Sequence, residues 1–224
     1  MLTNTESILK EVNKTLNQYQ FGKEPQELYQ PIDYMMGLGG KRLRPLLSIL
    51  SYLIFEDDYK KALKPSLALE VFHNFTLMHD DIMDNAPLRR GQATVHTKWN
   101  NNIAILSGDV MLVKSYELFE DLEQATFKQV VEAFNKIAIQ VCEGQQFDMN
   151  YETQAKVSVE QYLEMIRLKT AVLLGFSLQL GGLLAGVDKK QAEALYKAGE
   201  AIGIGFQLQD DYLDTFGGAK TGKK

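Results

Sequence analysis

An all-α fold is predicted for this chain by three observations. Apolar residues recur at helical spacing almost throughout, sustained strand alternation is absent, and residues 88–224 contain no proline to interrupt a long helix. No short-period repeat, low-complexity linker or shift in composition divides the chain, so a single domain over 1–224 is expected.

The elements follow in order. Thr3-x-x-Glu6 reads as a capping box and Ile8, Val12 and Leu16 as one helix face, predicting a helix over 4–19. A second helix, 26–38, runs into the turn Gly37-Leu-Gly-Gly40. Pro45 and Pro65 suit first-turn positions of helices at 45–56 and 65–84, the latter carrying the stripe Leu67, Val71, Phe75, Met78. Asn85-Ala-Pro-Leu-Arg-Arg-Gly91 opens a polar loop that extends to about Asn102. Helices at 103–121 and 126–149 come next, the second built on Val130, Ala133, Phe134, Ile137 and Val141. Capping boxes at Ser158-x-x-Gln161 and Asp188-x-x-Gln191 start helices over 159–185 and 189–215. The apolar stretch Ala171–Val187 holds Ser177, Gln179 and four glycines and is short for a bilayer, so a buried helix is expected and no membrane span.

Composition limits the function. A net charge of −5, from 24 basic and 29 acidic residues, argues against a nucleic-acid partner held by phosphate neutralisation. At 45% hydrophobic the chain has material for a core, which excludes disorder and a small disulfide scaffold. The single cysteine, Cys142, has no internal partner, which fits a cytoplasmic location; it reads as a small buried apolar residue. The N-terminus lacks the basic start and apolar run of a signal peptide, so secretion is not expected.

Chemistry concentrates in two copies of Asp-Asp-x-x-Asp, Asp80-Asp81-Ile-Met-Asp84 and Asp210-Asp211-Tyr-Leu-Asp214, which hold six of the thirteen aspartates. At that aspartate frequency a random chain would show the pattern roughly 0.04 times, so two copies are not accidental. On a helix, i and i+4 share a face, which sets Asp80 beside Asp84 and Asp210 beside Asp214. The flanks Phe75, Leu77, Met78, Ile82 and Phe206, Leu208, Tyr212, Leu213 are apolar, so both helices are expected to be mostly buried. Buried like charges need compensation, and hard divalent cations shared with a phosphorylated ligand supply it. Cations stand ready for the phosphate: Lys41, Arg42 and Arg44 after the glycine turn, Arg89 and Arg90 after the first pentad, and Lys169 among apolar neighbours.

The ordered set Gly39-Gly-Lys-Arg-Leu-Arg-Pro45, His73, the first pentad, Arg89-Arg90-Gly91, Gly144-Gln-x-x-Asp148, Lys169-Thr170 and Gly205-Phe-Gln-x-x-Asp-Asp-x-x-Asp214 closely resembles the trans-isoprenyl diphosphate synthases, from about residue 37 to the end. The resemblance implies a single-domain antiparallel bundle of the isoprenoid synthase type around a deep central cavity, acting as a homodimer. It implies a prenyltransferase that condenses isopentenyl diphosphate head-to-tail with an allylic diphosphate and releases pyrophosphate. Carried over by position, Asp80, Asp84 and Asp210 would ligate Mg2+ directly and Asp81, Asp211 and Asp214 would support them, three ions being shared with the substrate diphosphate. Lys41, Arg44, His73 and Arg90 would bind isopentenyl diphosphate; Arg89, Lys169, Thr170 and Gln207 would face the allylic diphosphate. The catalytic set is then Asp80, Asp84, Arg89, Lys169 and Asp210. Released pyrophosphate takes the proton in this family, so no protein nucleophile is required.

The resemblance also places chain-length control at Phe75 and Thr76, and a bulky Phe75 resembles short-chain members, geranylgeranyl-type ones in particular, with a farnesyl product the close alternative. Helical geometry turns Phe75 about 140° from Asp80 while Thr76 and His73 fall within about 40°, so the floor assignment rests on resemblance alone. Competing readings are a non-catalytic partner subunit of a heteromeric synthase, which would have no need to keep six aspartates, and a class I terpene cyclase, whose second site resembles an Asn/Ser/Glu pattern. A di-iron bundle is suggested by Glu70-x-x-His73, but the matching half-site is absent, since Thr76 and Ala93 stand three residues before His79 and His96. Family members continue for several helices beyond the second pentad, so the chain is expected to lack those C-terminal helices. The family's Phe-Gly-Lys lysine corresponds to Lys223 by motif or to Lys224 by distance from Asp214.

Overall fold

Side chains that satisfy first-turn N–H groups set the helix starts. The computed structural model describes residues 4–216. Helix α1 (Thr5–Gln18) is capped by Asn4, whose side chain accepts from Glu6 N at 3.0 Å; the expected cap at Thr3 lies outside the described residues, as do Lys223 and Lys224. Helices α2 (Gln26–Gly37), α3 (Leu43–Tyr52) and α4 (Lys60–Met83) follow. Pro45 falls in the first turn of α3. Pro65 does not sit in the first turn of α4, because the amides of Ala62 and Leu63 already bond to Tyr59 O and open the helix ahead of it.

The stretch expected as a polar loop is more ordered than that. It holds an antiparallel hairpin of β1 (Leu88–Arg89) and β2 (Gln92–Ala93) and a short helix α5 (Val95–Lys98) before α6 (Asn101–Glu117), which Asn100 caps through Ile103 N at 2.9 Å. Helix α7 (Gln124–Glu152) precedes α8 (Val159–Ile166), whose Ser158–Gln161 capping box is complete. The helix expected over 159–185 is interrupted: a π turn at Arg167–Ala171 separates α8 from α9 (Val172–Leu184). Helix α10 (Lys189–Phe216) starts at reciprocal bonds between Asp188 and Gln191, 2.8 and 3.2 Å. Apart from the hairpin, the regular elements among the described residues are all helical, in line with the all-α expectation.

The chain forms two compact units, a first through Ile49 together with Asp57–Phe127 and a second of Leu50–Glu56 with Lys128 onward. In the first, the middle of α4 is buried on every side, with Leu67, Ala68, Leu69, Glu70, Val71 and Phe72 enclosed in succession. Helix α6 packs along it closely enough that a Cβ on Gly108 would collide with the His79 imidazole. The stripe Ile8, Val12, Leu16 is buried as expected. The second unit packs α10 along α9 and stacks Phe134 on Phe176, ring centroids 5.7 Å apart. Its close approaches run through glycine: a Cβ on Gly203 would lie 2.6 Å from Ala171 Cα.

Cys142 is exposed, contrary to the expectation of a buried residue, because the buried stripe of α7 runs through Phe134, Ile137, Val141 and Gly144 and leaves it one step around the helix. No helix among the described residues is long and apolar enough to cross a membrane.

Candidate active site

The first pentad ends α4, and the chain reverses at once. Asn85 adopts a left-handed φ of 49°, the Asn85 amide donates to Ile82 O at 3.2 Å and the Ala86 amide to Asp81 O at 3.0 Å, a complete Schellman closure. The returning hairpin turns at Arg90-Gly91, with φ of 53° and 76°. Arg89 is thereby brought back onto the pentad. Its Nε donates to both oxygens of Asp81 at 2.9 Å, its Nη2 lies 2.7 Å from Asp81 Oδ1 and 3.6 Å from Asp80 Oδ2. Asp81 is buried, so this charge-assisted fork compensates a carboxylate withdrawn from water.

Arg90 reaches the glycine turn, donating through Nη1 to Gly39 O, and a Cβ on Gly40 would press its guanidinium at 3.2 Å. Positive φ at Gly39 (80°) and Gly40 (149°) suits glycine. Arg42 also has a left-handed φ of 49°, but it does not join the other cations as expected. Its guanidinium turns inward to Glu70, whose carboxylate is thereby held in an ion pair.

His73 lies seven residues before Asp80, on the same helix face. Burial, followed by the charges of Arg44, Arg90, Arg89 and Arg42, holds its imidazole well below the usual histidine range. Burial also brings Arg44 down to about 10, against the opposing pull of Glu70. Arg44 Nε is buried with no hydrogen-bond partner among the described residues. A neutral imidazole under the charges of Arg44, Arg89 and Arg90, with Arg42 and Arg90 on left-handed backbone, is a positive cluster of the kind found at functional sites. Lys41 is exposed beside it in sequence. Thr76 bonds back to His73 O at 2.8 Å, and Phe75, 8% exposed, packs against Phe72 and His79 with ring centroids 5.6 and 4.8 Å away.

The second unit assembles the remaining residues. Asp211 accepts from Tyr162 OH and, at 2.8 Å, from Gln207 Nε2; Gln207 Oε1 accepts from Thr170 Oγ1 at 3.1 Å. Lys169 bonds Asp148 of the Gly144-Gln-x-x-Asp148 segment. Lys169 and Thr170 sit in the π turn, a widened turn frequently found at functional sites, and its backbone passes against α7 at Gly144. Asp210 and Asp214 occupy the i and i+4 positions around Asp211. Burial and Asp211 raise the Tyr162 hydroxyl to about 12.

The apolar flanks of the second pentad are not buried as expected. Phe206, Leu208 and Tyr212 are 41, 40 and 62% exposed, because only the narrow stripe Ala192, Gly199, Gly203 of α10 is enclosed. Two residues escaped the sequence reading. Tyr162 carries no motif, and Glu70 was visible only as a metal half-site.

Hard carboxylate oxygens are the donors that divalent cations take, and in each pentad the second aspartate is held by protein partners while the outer two share a helix face. That donor chemistry fits a divalent ion completed by ligand oxygens. Among the described residues no group of three or more His, Cys, Asp or Glu forms a closed metal cluster.

A geranylgeranyl pyrophosphate synthase of Geoglobus acetivorans is 41% identical over 217 residues, covering 96% of this chain and 68% of the relative. A geranylgeranyl diphosphate synthase of Methanosarcina mazei is 42% identical over 192 residues, covering 85% of this chain and 59% of the relative. A crystal structure of a geranylgeranyl pyrophosphate synthase superposes with a TM-score of 0.94 at 49% identity, over 97% of this chain and 66% of that one. The chain thus spans roughly three fifths to two thirds of the length of these relatives. The polyprenyl synthetase family model matches residues 25–224, and the chain belongs to that family.

Proposed function

We propose that this chain carries out head-to-tail prenyl transfer, joining isopentenyl diphosphate to an allylic diphosphate and releasing pyrophosphate. The observation that carries the reading is the fork of Arg89 on the first pentad together with the charges of Arg44, Arg89 and Arg90 around the buried His73 imidazole. Such a site suits a diphosphate and has no use for a neutral ligand.

In the proposed reaction Lys41, Arg44, His73 and Arg90 bind isopentenyl diphosphate, while Arg89, Lys169, Thr170 and Gln207 hold the allylic diphosphate. Neutral His73 donates a hydrogen bond without adding a buried charge. Asp80, Asp84 and Asp210, supported by Asp81, Asp211 and Asp214, would hold Mg2+, with three ions shared with the substrate. Bound metal would supply Lewis-acid stabilisation of charge on the departing pyrophosphate. The allylic C–O bond breaks with its electron pair leaving on pyrophosphate; the isopentenyl double bond attacks the resulting cation to form the C–C bond. The released pyrophosphate takes a proton from the adjacent carbon, and the electrons of that C–H bond restore an allylic double bond. Cationic side chains fixed before the reaction stabilise this charge development without reorganising.

A geranylgeranyl product is supported by the names of the relatives and by the bulk of Phe75, with Thr76 one residue nearer the pentad. A homodimer is supported by the exposed apolar residues Ile105, Leu106 and Val113 of α6, and a cytoplasmic location by the lone cysteine.

The test is incubation of the purified chain with labelled isopentenyl diphosphate, each allylic primer in turn and Mg2+, followed by product chain-length analysis. Condensation to a short prenyl diphosphate is expected. No condensation with any primer would overturn the proposal in favour of a partner subunit.

A further inference from the structure

Glu70 and Arg42 bury opposite charges in the first unit, and the proposed reaction uses neither directly. Their side chains are 4% and 6% exposed, and Arg42 Nη1 donates to Glu70 Oε1 at 2.6 Å. Arg42 Nη2 donates to Met36 O at 2.8 Å and Nε to Asn13 Oδ1 at 3.4 Å. One guanidinium therefore ties together α1, α2 and α4. Glu70 is itself braced, accepting from Asn74 Nδ2 at 3.2 Å, one turn along α4.

A buried ion pair is a poor device for stability, since desolvation offsets most of its Coulombic attraction and a well-packed apolar pair does as well or better. What this pair does hold is backbone. Residues 39–42 belong to no helix or strand, and Arg42 has a φ of 49°, a conformation that a residue with a Cβ keeps only where its surroundings impose it. Lys41 immediately precedes Arg42 and Arg44 lies two residues beyond it, at the start of α3.

We propose that Arg42 and Glu70 are a positioning pair: they clamp the glycine turn in its left-handed conformation and so aim Lys41 and Arg44 at the diphosphate of isopentenyl diphosphate. The inference rests on the assignment of Lys41 and Arg44 to that substrate. It gives Glu70 a specific role, because that carboxylate draws Arg42 away from the ligand and leaves Lys41 and Arg44 to face it.

Calorimetric titration with isopentenyl diphosphate alone, where no turnover occurs, tests the clamp. Glu70→Gln preserves shape and removes the charge; Arg42→Lys preserves the charge and loses the planar fork. Each is expected to weaken binding by about tenfold or more while the KM for the allylic primer stays within about twofold, since displacement of about 1 Å suffices for such losses. The double variant Arg42→Met/Glu70→Met removes both buried charges and is expected to stay folded, by circular dichroism and thermal unfolding, with the same weakened binding. A folded double variant that binds isopentenyl diphosphate like the parent would overturn the clamp. So would equal losses for both substrates, or failure of the double variant to fold, since either would show that the pair serves the core. Lys41→Ala and Arg44→Ala separate the two ideas: unchanged binding in both removes the underlying site assignment, whereas weakened binding there with parental binding in the double variant removes the clamp alone.

Discussion

Gly144→Ala sets two well-known effects against each other. Glycine inside a helix is worth about 1 kcal/mol less than alanine, so on propensity the substitution should stabilise α7. In this fold the new Cβ would lie 2.7 Å from both Leu168 C and Lys169 Cα, and closer still to Lys169 N. Ordinary contacts between carbon atoms are about 3.5–4.0 Å, so the π turn must retreat by about 1 Å or more. All three obstructing atoms are backbone and cannot rotate away. Overpacking of this kind costs about 1–3 kcal/mol, which outweighs the propensity gain. The retreat also carries Lys169 and Thr170, so the allylic kcat/KM should fall by about 10–100-fold. Gly205→Ala in α10 is the control, because nothing lies within 4 Å of its Cβ position, and it should stabilise by about 0.5–1 kcal/mol. Urea unfolding reads the first effect and steady-state kinetics the second. If both alanines raised the unfolding midpoint alike, with Gly144→Ala fully active, the argument from close approach would be refuted.

Three further outcomes follow from the site. His73 resists protonation in the native state, from burial and then the four arginines, while in the unfolded chain it takes a proton near pH 6.5; its folded pKa is the lower one, so stability is lost as pH falls. Stability should therefore fall between about pH 7.5 and 5.5 more steeply in the parent than in His73→Gln, whereas equal slopes in urea titrations of parent and variant would contradict it. The double variant Asp80→Ala/Asp210→Ala should lower Mg2+-dependent turnover by about 100-fold or more, and surviving metal-dependent condensation would remove those aspartates as ligands. Phe75→Ala should cost about 3–5 kcal/mol of stability and shift products to longer prenyl chains, and an unchanged product ladder on chromatography would remove Phe75 as the floor.

Where the sequence could be read, the reason was local. The boxes at Ser158 and Asp188 name their own partners three residues on, and both formed as spaced. Stripes such as Ile8, Val12, Leu16 depend on period alone. The hairpin was illegible because two-residue strands are too short to alternate and its turn uses Arg-Gly where Asn-Gly is the usual signal. The π turn changes hydrogen-bond spacing without changing residue type, so an apolar run gives no sign of it. Arg42 shows the strongest limit: three cations in four positions look alike in sequence, and only the buried carboxylate of Glu70, 28 residues away, separates the one that turns inward. Exposure of Phe206, Leu208 and Tyr212 was likewise invisible, since their apolar character alone suggests burial.

A net charge of −5 would seem to disfavour two diphosphates, yet charge acts at the scale of a few ångströms. The charges of four arginines act on His73, and Glu70 pairs with one of them, Arg42. Arg89 has a double role, since the guanidinium that contributes positive potential to that pocket also forks onto Asp81. In each pentad the second aspartate is engaged by the fold through directional hydrogen bonds, Asp81 with Arg89 and Asp211 with Tyr162 and Gln207. A third carboxylate is therefore not a redundant ligand. It fixes the rotation of its helix by a directional contact, and the aspartates at i and i+4 then share a defined face. Substituting Asp81 should for that reason disturb Arg89, and with it the binding of the allylic diphosphate proposed for Arg89, as well as the metal positions.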